Sequence, residues 1–137
     1  MFELVHAYSW HDGPREGIAE YLGQPHRFES EWQDSDGGED SYLLMPIDAA
    51  TLALAFEDWA IWRRWETAFY RGEATLETHP ALPEDRHRRE ELKRLLAPLL
   101  NIEPTRAVRV SADFRRRDDS AWNGVGWPPL KVEWTAL

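Results

Sequence analysis

Residues 49–71 carry a helical pattern whose apolar side is too wide for a surface helix, and this constrains most of what the chain can become. On a wheel of ~100° per residue with Leu52 at zero, Phe56 falls near ~40°, Trp59 near ~340° and Trp62 near ~280°. Trp65 follows near ~220°, Leu54 near ~200° and Ile61 near ~180° on the same wheel. The apolar arc is roughly 220° wide, about twice what a helix lying on a globular surface requires. Such a helix has to be covered on more than one side, by a sheet and by a second helix. Asp48 has the chemistry of an N-cap, and Gly72 closes the pattern.

The segments before this helix alternate with a period of two. In residues 2–10, Phe2, Leu4, His6, Tyr8 and Trp10 share one face. A turn follows at 11–17, where Gly13 and Gly17 flank Pro14 and Arg15. A second strand is read at 17–22, a tight connection at 23–25, and a third strand at 26–33. That third strand places His26, Phe28, Ser30 and Trp32 opposite Arg27, Glu29 and Glu31. Residues 34–40 form an acidic glycine-bearing loop, and 41–45 a short apolar strand.

After the long helix, Pro83 suits the first turn of a second one. Leu92, Leu95, Leu96 and Leu99 follow the i, i+3, i+4, i+7 spacing of a core stripe, and Pro98 kinks or ends it. Residues 105–115 alternate Val108, Val110, Ala112 and Phe114 with charged side chains. Leu130, Val132, Trp134 and Ala136 alternate likewise, so an antiparallel pair is expected across the 116–129 loop. Four strands, two helices and two strands do not alternate as a doubly wound parallel sheet does. The expected fold is α+β, a curved antiparallel sheet or small open barrel of about six strands with two helices against it. At 137 residues this is one domain's worth of chain, long enough to bury a core without disulfides or metal.

Composition narrows the chemistry. The chain has no cysteine, which removes disulfide scaffolds, thiol catalysis and thiolate metal sites and fits a cytosolic setting. No apolar stretch approaches a membrane span, and the N-terminus lacks the pattern of a secretory signal. Residues 1–60 hold 2 basic and 13 acidic side chains, while residues 61–137 hold 14 basic and 12 acidic. An acidic N-terminal half disfavours nucleic acid. The arginine runs at 86–89 and 115–117 sit among acids, as on a solvated face. Glycine-rich phosphate loops and nucleophile elbows are absent, and no cofactor is expected.

Three charged residues fall inside the apolar arc of the long helix: Asp58 near ~240°, Glu66 near ~320° and Arg63 near ~20°. A carboxylate among tryptophans must find donors, or its pKa rises. A raised Glu66 or Asp58 suits general acid–base work on a sugar or planar ligand, with His26 as a third candidate catalytic group. The reading the sequence favours is structural: both carboxylates accept hydrogen bonds from indole N–H groups and from arginines such as Arg15 or Arg63. His6 and His26 share no metal-ligand spacing with a carboxylate, so no metal is expected. His11, His79 and His87 fall in turns or on a charged helix face. Among eight tryptophans, only Trp122 and Trp127 lie where core packing does not account for them, either presented to a partner or folded back as plugs.

The run Asp12-Gly13-Pro14-Arg15-Glu16-Gly17-Ile18-Ala19, then Gly23-Gln24-Pro25-His26, then the helix core Glu57-Asp58-Trp59-Ala60-Ile61-Trp62-Arg63-Arg64-Trp65-Glu66, resembles a family of small bacterial proteins of unknown function. The resemblance spans roughly the first 80 residues and implies a bacterial cytosolic protein. It assigns no activity. The functional expectation is therefore a non-enzymatic binding or protein-interaction module, of which an acidic inhibitor of immunity type is one form. Its candidate binding residues are Asp12, Arg15, Arg63, Trp122 and Trp127, facing a protein partner or a small ligand. The alternative is a small hydrolase or carbohydrate-acting enzyme using Glu66 and Asp58. Neither reading sets an oligomeric state.

Overall fold

The computed structural model describes residues 1–31, 41–118, 122 and 124–137. Trp32 and the acidic loop at 34–40 lie outside the described residues. Six strands run antiparallel in the order β1 (Glu3–Trp10), β2 (Pro14–Tyr21), β3 (Gln24–Ser30), β4 (Ser41–Pro46), β5 (Val108–Arg116) and β6 (Leu130–Ala136). The sheet does not stay open: β6 pairs back onto β1 through Glu3–Val132 and Leu4–Lys131, so the barrel is closed. Closure gives each of the six described strands a neighbour on both sides, so the sheet has no edge strand among the described residues. Helices α1 (Ala49–Tyr70) and α2 (Arg86–Leu100) are inserted between β4 and β5.

The local chemistry explains the boundaries. Asp48 accepts a hydrogen bond from Thr51 N–H at 2.8 Å and caps α1. At the other end Gly72 is left-handed (φ +76°), with Gly72 N–H bonded to Phe69 O and Glu73 N–H to Ala68 O. That is the two-bond glycine stop that satisfies the last carbonyls of a helix. The β2–β3 hairpin turns on Leu22 and Gly23, both at positive φ, which matches the twist of the flanking strands. The turn therefore lies one residue earlier than the 23–25 connection read from the sequence. α2 runs through Pro98 to Leu100.

Inside the barrel, Val5, Ala19, Phe28, Tyr42, Leu44, Val110 and Val132 form the core. Phe28, Tyr42, Phe114 and Trp134 pack ring against ring at centroid separations of 5.5–6.1 Å. The strict alternation expected for β1 does not hold. Val5 pairs with Ala19 but Ala7 with Ile18, so His6 is an extra residue in the strand, a bulge that reverses the inward and outward phase. Val5 and Tyr8 both point in, Leu4 is exposed, and Trp10, expected in the core, is 52% exposed.

α1 is covered on several sides, as its wide apolar arc requires. Trp59 packs on the barrel core, and Leu54 and Ile61 meet Leu92 and Leu96 of α2. Trp65 is roofed by the 75–81 connection, where its indole N–H donates to Thr78 Oγ1 at 3.0 Å. Only half of the leucine stripe of α2 enters the core: Leu92 and Leu96 are buried, whereas Leu95 and Leu99 are 45% and 42% exposed. The helix pair is laced by arginine–carboxylate pairs. Arg64 bonds Asp85 twice at 3.0 Å, Arg88 bonds Glu57, and Arg89 lies 3.0 Å from Asp58. The 86–89 arginine run thus turns two of its members onto α1. No helix among the described residues is long and apolar enough to cross a membrane.

Candidate functional site

Successive faces of α1 serve different sites. Ala55, Asp58, Trp59 and Trp62, at the i, i+3, i+4, i+7 positions of one face, line a cleft against the outer wall of the barrel. Trp59, Arg63 and Glu66 share the next face, which closes the barrel mouth.

At the mouth, Trp127 stacks on Tyr8 (centroids 5.3 Å apart, 23° between planes) and touches Trp62 at 5.3 Å. Trp59 flanks Tyr8 from the helix side at 5.7 Å. The 124–129 segment is fastened there by a closed polar ring. Arg63 Nη1 donates to Glu66 Oε1 at 2.5 Å and to Trp127 O at 3.1 Å, and Trp127 N–H donates to Glu66 Oε2 at 3.0 Å. Glu66 is 2% exposed. Burial pushes its carboxyl up from the ordinary range, opposed by the Trp127 N–H and by Arg63. A Cβ on Gly126 would sit 2.0–2.3 Å from the Glu66 carboxyl atoms, so only glycine fits above it. Tyr8 donates its hydroxyl to Pro128 O at 2.5 Å, and burial pushes its phenol well up. Tyr8→Phe leaves that carbonyl without its donor and is expected to cost about 1–2 kcal/mol, read as a lower urea midpoint at unchanged slope.

The cleft beside the mouth encloses about 370 Å³. Ala7, Ser9, Glu16, Ile18 and Arg27 form its floor, on outward-facing positions of β1, β2 and β3. Its roof is α1 with Arg89, Leu96 and Leu100 of α2, and His79 and Pro80 stand at one side. Trp62, stacked on Trp65 at 5.3 Å, meets the His79 ring edge-on at 5.4 Å. The charges come in pairs, Glu16 with Arg27 and Asp58 with Arg89, each at 3.0 Å. Burial pushes the Asp58 carboxyl up, with Arg89 pulling it down. Arg89 Nε, although 3.0 Å from Asp58 Oδ1, makes no hydrogen bond to it. Asp58 Oδ1, Arg27 Nε and Trp62 Nε1 are all buried without a hydrogen-bond partner. A second hollow of about 400 Å³, with Arg63, Arg117, Trp122 and Pro129 on its walls, lies across the Tyr8–Trp59–Trp127 wall.

The candidate residues are thus dispersed. Asp58 and Glu66 are eight residues apart, about 12 Å of helix rise, and meet different surroundings. Of these two only Asp58 lines the cleft, which Trp127 also reaches from the mouth. His26 is buried at the other side of the barrel wall, with its Nδ1 2.9 Å from Gln24 O and its ring edge-on to Tyr21. His6 instead faces Glu20 and Phe56. Asp12, at positive φ, lies in the β1–β2 turn, which Arg15 at the start of β2 pins by donating to His11 O and Asp12 O at 2.7 Å each. Arg15 does not reach either helix carboxylate in the hydrogen bonds it makes there. Arg63 and Trp127 belong to the mouth. Trp122 donates to Val125 O at 3.1 Å beneath the Arg116 guanidinium, 4.3 Å from its ring. Among the described residues no group of His, Asp and Glu is placed to hold a metal ion.

Sequence reasoning missed Arg27, Arg89 and His79. The first two reach the cleft from charged faces that look solvated in one dimension. Arg27 did carry a signal, since it alternates with His26 and Phe28 on a strand whose outer face a helix covers. The fold and site define an α+β protein built on a closed six-stranded antiparallel barrel, with a helical pair enclosing an aromatic cleft. Comparison with protein-family models, with curated proteins and with solved structures found no match.

Proposed function

We propose that this chain is a non-enzymatic binding module whose ligand lodges in the cleft between the barrel wall and the helices. One observation carries the reading: a cleft of about 370 Å³ lies between the barrel wall and the helices, lined by Trp59, Trp62 and Trp127 and by two ion pairs, Glu16–Arg27 and Asp58–Arg89. The volume falls within the ~300–1,000 Å³ usual for small-molecule sites, and apolar walls with a few polar groups are their usual lining. The absence of cysteine is in keeping with work in a reducing, cytosolic compartment.

Glu66 supports structure in this reading, because its carboxylate oxygens are engaged by Arg63 and Trp127. The acidic surplus of the N-terminal half is also partly engaged within the molecule. Glu31, Glu57 and Asp58 pair with Arg109, Arg88 and Arg89 of the C-terminal half. A small ligand is therefore favoured over a basic protein partner.

The test is native mass spectrometry of the purified chain after incubation with a cytosolic small-molecule extract. Wild type is expected to retain a discrete mass that is lost from Ala55→Leu and from Ser9→Phe, which fill the cleft from its roof and its floor. Circular dichroism confirms that the variants are folded. No retained mass, or one that both folded variants keep, overturns the proposal.

A further inference from the structure

We propose that the hollow at the barrel mouth is a second binding site, which takes an aromatic ring carrying one carboxylate, with the carboxylate held by Arg63. This goes beyond the cleft reading and does not depend on it. The hollow encloses about 400 Å³, within the ~300–1,000 Å³ usual for small-molecule sites. It shares only Tyr8, Trp59 and Trp127 with the cleft.

Arg63 sets the charge. Both of its hydrogen bonds to described residues, to Glu66 Oε1 and to Trp127 O, leave from Nη1, while Nε and Nη2 make none. The side chain is 30% exposed, and neither of those two nitrogens is sealed from solvent. Two neighbouring guanidinium nitrogens form the fork from which a carboxylate accepts two hydrogen bonds at once. Among the described residues of the wall, Arg63 and Arg117 are arginines and none is an aspartate or glutamate. Glu66, the ion-pair partner of Arg63, is 2% exposed and not part of the wall. The wall therefore suits an anion and not a cation. Because the Glu66 carboxylate shares the same guanidinium, a second negative charge on the ligand is repelled. That favours a monoanionic carboxylate over a dianionic phosphate.

The indoles set the shape. Trp59, Trp122 and Trp127 line the hollow, and a flat ring meets such surface by stacking or edge contact. The Arg63 guanidinium carbon lies 6.0 Å from the centre of the Trp59 ring, so an acid held on Arg63 keeps its own ring within reach of indole. Trp122 is steadied by its bond to Val125 O and by the Arg116 guanidinium 4.3 Å from its ring. This loop tryptophan then has a task that core packing does not give it.

Isothermal titration calorimetry of the full chain with indole-3-carboxylate and benzoate tests the proposal. Indole-3-carboxamide, benzamide, cyclohexanecarboxylate and phenyl phosphate are the contrasts. At least one of the two aromatic acids is expected to bind saturably, about tenfold or more tighter than its amide and tighter than the other contrasts. Arg63→Lys keeps a cation beside Glu66 but loses the fork, and is expected to weaken that acid about five- to tenfold. Trp122→Leu is expected to weaken it about threefold or more, and it decides the matter where circular dichroism shows Arg63→Lys unfolded. Ala55→Leu, which fills the cleft, is expected to leave the acid unchanged. Acids that give no heat, amides that bind as tightly, or an acid whose affinity survives in every folded variant overturn the site. Tighter binding of phenyl phosphate or of cyclohexanecarboxylate overturns the ligand class. Loss of the acid from Ala55→Leu places it in the cleft, which overturns the mouth site and leaves the cleft reading standing.

Discussion

Alanine at position 17 is expected to cost the barrel about 3 kcal/mol or more, the upper range for forcing extra volume into a packed site. Gly17 has an ordinary backbone conformation, so the effect does not come from φ. It comes from approach: a Cβ there would lie 2.1 Å from Ala7 O, 2.8 Å from Tyr8 Cα and 2.9 Å from the Phe28 ring. Two of these three neighbours are backbone, in the strand that carries the bulge, and have no rotamer by which to move away. Gly23→Ala is the control. Its φ is +76° with nothing within 4 Å, so it is expected to pay only the left-handed penalty of about 1–2 kcal/mol. Urea unfolding of both variants checks the difference. A Gly17→Ala midpoint no lower than that of Gly23→Ala means the strands separate freely at this point.

Breaking the polar ring at the barrel mouth is expected to come next in size. Arg63→Met leaves Glu66 buried without its cation, and such a loss costs about 3 kcal/mol, the low end for a buried pair because Arg63 is itself partly exposed. Paired with Glu66→Gln, the double variant is expected to lose less than the sum of the singles, the mark of two groups acting on each other. The pH dependence has a definite sign. Burial raises the Glu66 carboxyl above its ordinary 4.5, so folding takes up a proton between that value and the raised one. The contribution of this group to stability is greatest at low pH and declines as pH rises through that window. Glutamine cannot ionise. The Tm of Glu66→Gln relative to wild type is therefore expected to improve as the pH is raised from 4 to 7. A constant difference means that Arg63 and the Trp127 N–H hold the carboxylate at its ordinary pKa.

What the sequence made legible was local or periodic. The Asp48 cap and the Gly72 stop depend on neighbours within a few residues, so both ends of α1 could be read directly. The same holds for β6 and for its pairing with β5 across a long loop. Leu4 was misplaced because a single inserted residue at His6 reverses alternation, and no residue type announces it; Trp10 keeps the parity of Tyr8 but lies past a second register shift at the end of β1, between Ser9 and Trp10. Leu95 and Leu99 carry the right spacing, but a stripe says which face is apolar and not how far the partner extends over it. The cleft was the least legible part. Asp58 was visible as a charge in an apolar arc, yet its neighbours Arg89, Arg27 and Trp127 are 31 or more positions away in the chain. Glu66 was visible for the same reason, and its ring partner Trp127 is separated from it by 61 residues.

The extra residue at His6 also works as a counter for the strand. Before it Val5 points into the barrel, and after it Tyr8 does, beneath Trp59 of α1 and Trp127, while Ala7 faces the cleft. Simple alternation with that residue kept would carry every later side chain of β1 to the opposite surface. The mouth would lose its central ring, and the outer wall would gain a phenol where Ala7 now lines the cleft. Removing the residue instead would leave Val5, Ala7 and Tyr8 paired and facing as they are, so the bulge is what fits one added unit of chain length to a fixed set of faces.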